Sequence, residues 1–112
     1  MKPGDRAERL AAEYLRDKGL NLLESNYRCR VGEIDLVLRD GDTIVFAEVR
    51  LRTNAKFGGA AYSIDRRKQA RLIAAARRWL AGKEDAPCRF DVVLLDRLDA
   101  SGIDWIRDAF ST

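Results

Sequence analysis

The stretch GEIDLVLRDGDTIVFAEVR, Gly32 to Arg50, decides the fold. It reads as two apolar strands, Ile34 to Arg39 and Thr43 to Arg50, around Asp40-Gly41, a dipeptide that signals a tight hairpin. Side chains alternate along a strand, so Asp35 shares a face with Glu33 and Val37, and Glu48 with Phe46 and Arg50. If Asp40-Gly41 is a two-residue turn, Asp35 pairs with Phe46 and sits diagonal to Glu48. A four-residue turn sets Asp35 directly opposite Glu48. In either register two carboxylates converge, with β-carbons about 5 to 8 Å apart. Such a pair repels, and without a cation one member tends to take up a proton. A hard cation such as Mg²⁺ or Mn²⁺ turns the pair into a ligand set. The alternative is an exposed face where both acids meet solvent. The apolar neighbours Val37 and Phe46 argue for a half-buried face instead.

The rest of the chain supplies elements around this hairpin. Gly4 to Lys18 carries an apolar stripe at helical spacing (Ala7, Leu10, Ala11, Tyr14, Leu15) and is closed by Gly19. Leu20 to Arg30 reads as a first strand, with Asn26 as an irregularity. Asn54 to Tyr62, with Gly58-Gly59, reads as a loop. Ser63 or Asp65 caps a second helix running to Ala81 and ended by Gly82, with Leu72, Ile73, Ala76, Trp79 and Leu80 as its core stripe. Arg89 to Asp96 contains an unbroken VVLL, which suggests a strand buried on both faces. Ile103 to Arg107 is a last strand or a short terminal element. The order helix, three strands, helix, strand predicts an α/β fold with a mixed sheet flanked by helices.

Composition narrows the chemistry. The 112 residues suggest one domain, 1–112, with a core large enough to need no staples. The chain has no histidine. That excludes Ser-His-Asp and Cys-His catalysis and any His-ligated metal. Cys29 and Cys88 lie far apart, with no CxxC, which fits a reduced, cytoplasmic setting. No apolar run is long enough to span a membrane, and the first fifteen residues lack the apolar core of a signal peptide. Net charge is +3, and arginine supplies most of the 21 basic residues. Arginine's planar fork suits phosphate; a codon preference is the plainer account.

Several stretches together resemble the YraN family of small bacterial proteins, in the PD-(D/E)XK nuclease superfamily near its Holliday junction resolvase branch. They are Gly4 with Glu8 and Ala12, Asn26 and Arg28, Gly32-Glu33-Ile34-Asp35, Phe46 to Arg52, Phe57-Gly58, Lys68, and Arg89-Phe90-Asp91-Val92-Val93. The resemblance implies a restriction-endonuclease-like αβββαβ core. It implies Asp35, Glu48, Glu8 and the Val49 carbonyl as metal ligands, Mg or Mn as cofactor, and phosphodiester hydrolysis in DNA, with branched or damaged DNA as the substrate class. It also implies a basic residue after the glutamate. That residue is usually lysine in the family and here is Arg50, which stays charged and is a poor general base. Lys68, on the rim of the second helix's stripe, is a candidate for the missing ammonium, with Gln69 an odd polar residue beside it; the plain account of Lys68 is a snorkelling lysine. Arg28, Arg52, Arg66 and Arg67 are candidates for phosphate contact. A two-fold homodimer is expected by analogy with branched-DNA enzymes.

Three functions follow. One is a metal-dependent endonuclease using Glu8, Asp35, Glu48, Arg50 and Lys68. The second is a nucleic-acid-binding module that keeps the fold but cuts weakly or not at all. The third is a protein adaptor presenting Trp79, Trp105 and Phe110.

Overall fold

The computed structural model describes residues 3–51, 64–96 and 100–111. Arg52, the Gly58-Gly59 stretch and Ser63 lie outside the described residues. Helix α1 spans Pro3–Asp17, strand β1 Asn21–Cys29, β2 Gly32–Asp40 and β3 Thr43–Leu51. Helix α2 spans Arg66–Leu80, β4 Cys88–Leu95 and β5 Ile103–Phe110. The terminal segment is therefore a full strand. Among the described residues no helix is long and apolar enough to cross a membrane.

The strands form one sheet in the order β1-β2-β3-β4-β5. β1, β2 and β3 make an antiparallel meander, β4 runs parallel to β3, and β5 returns antiparallel. The parallel step requires a crossover, and α2 supplies it. One helix covers each face. On the α1 face, Ala7, Ala11 and Leu15 pack on Leu36, Val45 and Val93. On the α2 face, Leu72, Ala76 and Trp79 pack on Val37, Phe46 and Val92. The VVLL run sits between them: Val92 and Leu94 belong to one cluster, Val93 and Leu95 to the other. Along this run β4 is thus apolar on both sides, as a strand between two helical layers must be.

The hairpin closes one residue later than Asp40-Gly41 would place it. Asp40 pairs with Thr43, leaving Gly41-Asp42 as the turn, and Gly41 takes a positive φ of 60°. This is the register in which Arg39 pairs with Ile44 and Leu36 with Ala47. Glycine holds the left-handed position without a Cβ penalty, so it becomes the first central residue of the turn.

The aromatics close packing contacts. Trp79 meets Phe46 edge-on at 5.9 Å and Trp105 meets Tyr14 at 6.4 Å, while Phe110 stacks on Phe90 at 4.8 Å. The Trp79 indole N–H also donates to Glu24 on β1 at 3.0 Å.

Asp91 on β4 is 1% exposed. It accepts from Arg89 Nε at 3.0 Å, from the Trp105 indole at 2.9 Å and from the Asp108 backbone N–H at 2.9 Å. Asp108 has φ 52°, and the β4–β5 register shifts between Phe90 and Val92. Asp91 therefore satisfies the irregular backbone that lets β5 bend. Removing its carboxylate leaves Arg89, itself bonded to Asp40 at 2.9 Å, as a half-buried cation with one partner fewer. Asp91→Ala should lower the unfolding free energy by about 3 kcal/mol, read by urea denaturation against Asp104→Ala on the exposed side of β5. A loss no larger than that of Asp104→Ala would contradict the role.

Candidate functional site

The register that pairs Leu36 with Ala47 sets Asp35 directly opposite Glu48. Glu48 is 6% exposed, one of the buried charged residues of the chain. Asp35 is half-buried and accepts from the Val49 backbone N–H at 2.8 Å. That bond holds one Asp35 oxygen on β3 where ordinary ladder pairing stops. The structure thus records Val49 as a donor to the acidic pair through its N–H.

Regular alternation breaks at Asp35. Ile34 packs with the α2-side cluster, Leu36 with the α1-side cluster, and Val37 with the α2 side again. In the β1–β2 register Asn26 falls opposite Asp35, and it has φ 54°. Asparagine is among the few non-glycine residues that tolerate this region. The local twist sets Asp35 at the boundary of the two faces, within electrostatic reach of groups on both helices: Glu8 on α1 and Lys68 on α2. Glu8 is half-buried, and the Asn26 side chain hydrogen-bonds it. Its Oε1 is buried without a partner among the described residues.

Lys68 closes the site from the other side. Asp65 caps α2, accepting from the Lys68 backbone N–H at 2.8 Å, which fixes Lys68 at the third helical position. The buried stripe of α2 is Leu72, Ala75, Ala76 and Trp79, with Ile73 and Leu80 half-buried. This stripe is rotated from the expected one: Ala75 is fully buried, while Ile73 and Leu80 sit at its edges. Lys68 lies one turn before Leu72 and extends the same stripe. Its Nζ reaches Glu48 Oε2 at 3.2 Å, while Arg50 Nη2 stands 3.9 Å from the same oxygen. Gln69 donates to the Ile64 carbonyl at 2.6 Å and so belongs to the helix start.

Glu8, Asp35, Glu48, Arg50 and Lys68 are therefore brought into one neighbourhood. Arg28 pairs with Glu33 at 3.4 Å beside it. Arg66 and Arg67 are exposed on the first turn of α2. Two groove residues were missed from sequence. Arg30 and Arg71 line a groove of about 430 Å³ with Arg28 and Lys68. The i, i+3 spacing of Lys68 and Arg71 was the available signal.

Burial is the main force on the Asp35 carboxyl. With a hydrogen bond and repulsion from Glu48 added, it is pushed up to about 7 from an ordinary 3.8. Glu8 is also raised, first by burial and then by the Asp35 charge. Among the described residues no group of three or more acidic or cysteine side chains is already arranged to hold a metal ion. The two facing carboxylates still suit Mg²⁺, which takes one or two carboxylates and completes its shell with water and phosphate.

This sheet, with an acidic pair on its second and third strands and a helix on each face, has the αβββαβ core of the nuclease-like class. The chain belongs to UPF0102, described as an uncharacterised protein family, whose model matches residues 7–95. This is the YraN group that the motifs resemble. A UPF0102 protein of Methylobacillus flagellatus is 56% identical over 108 residues, covering 96% of both chains. One from Nitrosomonas europaea is 56% identical over 108 residues, covering 96% of this chain and 92% of its own. One from Nitrosococcus oceani is 50% identical over 120 residues, covering 98% and 97%. Their names carry no activity.

The raised Asp35 sets a pH dependence. The folded chain keeps a proton here that the unfolded chain releases near 3.8. This contribution to stability is full below that value and is lost as pH rises through about 7. Asp35→Asn removes the loss. In EDTA at pH 8 it should be more stable than wild type by roughly 2 to 4 kcal/mol, and near wild type at pH 4. Thermal melts at the two pH values check this, and equal stability at pH 8 would contradict it.

Proposed function

We propose that this protein is a metal-dependent nuclease that hydrolyses phosphodiester bonds in DNA. The observation that carries the reading is the facing pair Asp35 and Glu48, with Lys68 Nζ at 3.2 Å from Glu48. Asp35 and Glu48 would hold Mg²⁺ or Mn²⁺, with Glu8 and the Val49 carbonyl completing the set. The bound cation supplies an activated water and neutralises phosphate charge. Lys68 takes the place of the lysine that the motif lacks at Arg50. It is a compact cation with three rotatable donors, suited to a water or a phosphate oxygen. Arg50 remains charged and faces the developing phosphate charge as an electrostatic partner. Val49 N–H fixes the orientation of Asp35 throughout.

A second reading, a binding module with little or no cleavage, has its own observation. Glu48 already has two cations in reach, Lys68 and Arg50, so its charge is countered without a metal. Such a protein would bind DNA and leave it intact.

A cleavage assay on single-stranded, duplex and four-way-junction DNA with Mg²⁺ or Mn²⁺ separates the two. The nuclease reading expects metal-dependent cutting that falls about 100-fold or more in Asp35→Ala. Lys68→Met should lose at least about tenfold, and Arg50→Lys should retain or gain activity. Full activity in Lys68→Met would move the ammonium role to Arg50. Inert protein that still binds DNA would establish the binding module.

A further inference from the structure

We propose that the groove between the β1–β2 turn and α2 holds the sugar–phosphate backbone of one nucleic-acid strand and leads a phosphate to Lys68. The inference rests on the phosphodiester reading for its ligand and adds the path the strand takes. Among the described residues four cations line the groove: Arg28, Arg30, Lys68 and Arg71. The acid there, Glu33, is engaged by Arg28 at 3.4 Å. Arg30 and Arg71 have no acidic partner among the described residues, so their donors face the groove's contents or water. Lys68 belongs to both places, lining the groove and reaching Glu48. A ligand seated along the arginines therefore ends at the acidic pair.

Shape and chemistry select the ligand. The groove's floor exists because Gly32 has no side chain: a Cβ there would lie 2.7 Å from the Arg71 carbonyl oxygen. The β1–β2 turn and α2 can thus approach closely, with arginines on both banks. A volume of about 430 Å³ is that of a small-molecule pocket and admits a short segment of one strand. Guanidinium forks match phosphate oxygens in pairs. Among the described residues the polar lining is guanidinium, ammonium and one carboxylate, so contacts go to the backbone phosphates, which carry no sequence information. The bound strand is held without base preference.

The test is fluorescence anisotropy of labelled 12-nucleotide single strands, dT and mixed sequence, with the full chain in EDTA across a salt series. Arg30→Gln/Arg71→Gln is compared with Arg77→Gln/Arg78→Gln, which removes the same charge from the exposed far end of α2, and circular dichroism checks that both fold. The groove pair should weaken binding about tenfold and flatten the salt slope by about 1.4, two contacts at roughly 0.7 each for a single strand. The control pair should change affinity less than about twofold, and dT and mixed strands should bind alike. Equal loss in both pairs, no loss in either, no binding by wild type, or equal binding of poly-glutamate would overturn the proposal. Adding Mg²⁺ keeps the two readings distinct. Groove-dependent binding without cutting sinks the nuclease and leaves the groove standing; cutting with unchanged KM in the groove variant sinks the groove and leaves the nuclease standing.

Discussion

Asp35 and Glu48 repel each other across the end of the β2–β3 ladder, in a setting that burial makes less forgiving. The features around them answer that repulsion. The Val49 N–H binds Asp35, Lys68 and Arg50 face Glu48, and a proton stays on Asp35 to about neutral pH. The parallel β3–β4 step is part of the same answer, because it needs a crossover helix, and that helix carries Lys68 over the sheet to Glu48. A fold selected for stability alone would place an apolar pair here, since neighbouring positions Val37 and Phe46 pack without charge.

Asp91 shows what a structural acid in the same sheet looks like. It is deeper than Asp35, yet its oxygens are met by Arg89, Trp105 and Asp108, and the bonds lock β5 onto β4. Glu8 and Asp35 differ in kind. Glu8 keeps a buried oxygen without a partner among the described residues, and Asp35 faces a like charge. Arg89 Nη2 in the Asp91 cluster is also buried without a partner among the described residues, so the mark of the candidate site is the convergence of like charges at Asp35 and Glu48. The two sets of acids lie on neighbouring strands and do different work.

The helices, the meander and the doubly buried VVLL were legible in sequence because each rests on local periodicity and on punctuation by Gly19, Gly41 and Gly82. The acidic pair was legible as a pair, but its register was not, since one glycine's positive φ decides between two turns. The break in alternation at Asp35 was hidden too, because it arises where Asn26 twists the neighbouring strand. The position of Lys68 was half visible. Its place on the stripe depended on the rotation of the helix over the sheet, a matter of tertiary packing. Asp91 and its partner Arg89 lay in a matched motif, but its other two partners are fourteen and seventeen residues away, beyond any local pattern. Gly32 read as part of a motif, while its reason is the close passage of the Arg71 backbone.

Central to the proposed function is that a divalent cation takes the place of the proton held by Asp35. Isothermal titration of Mn²⁺ into the protein at pH 6.5, in buffers of different ionisation enthalpy, measures metal binding and proton release together. The expected result is binding that releases most of one proton and disappears in Asp35→Asn, because the ligand must be deprotonated. Binding with no proton release, or binding that survives in Asp35→Asn, would contradict it.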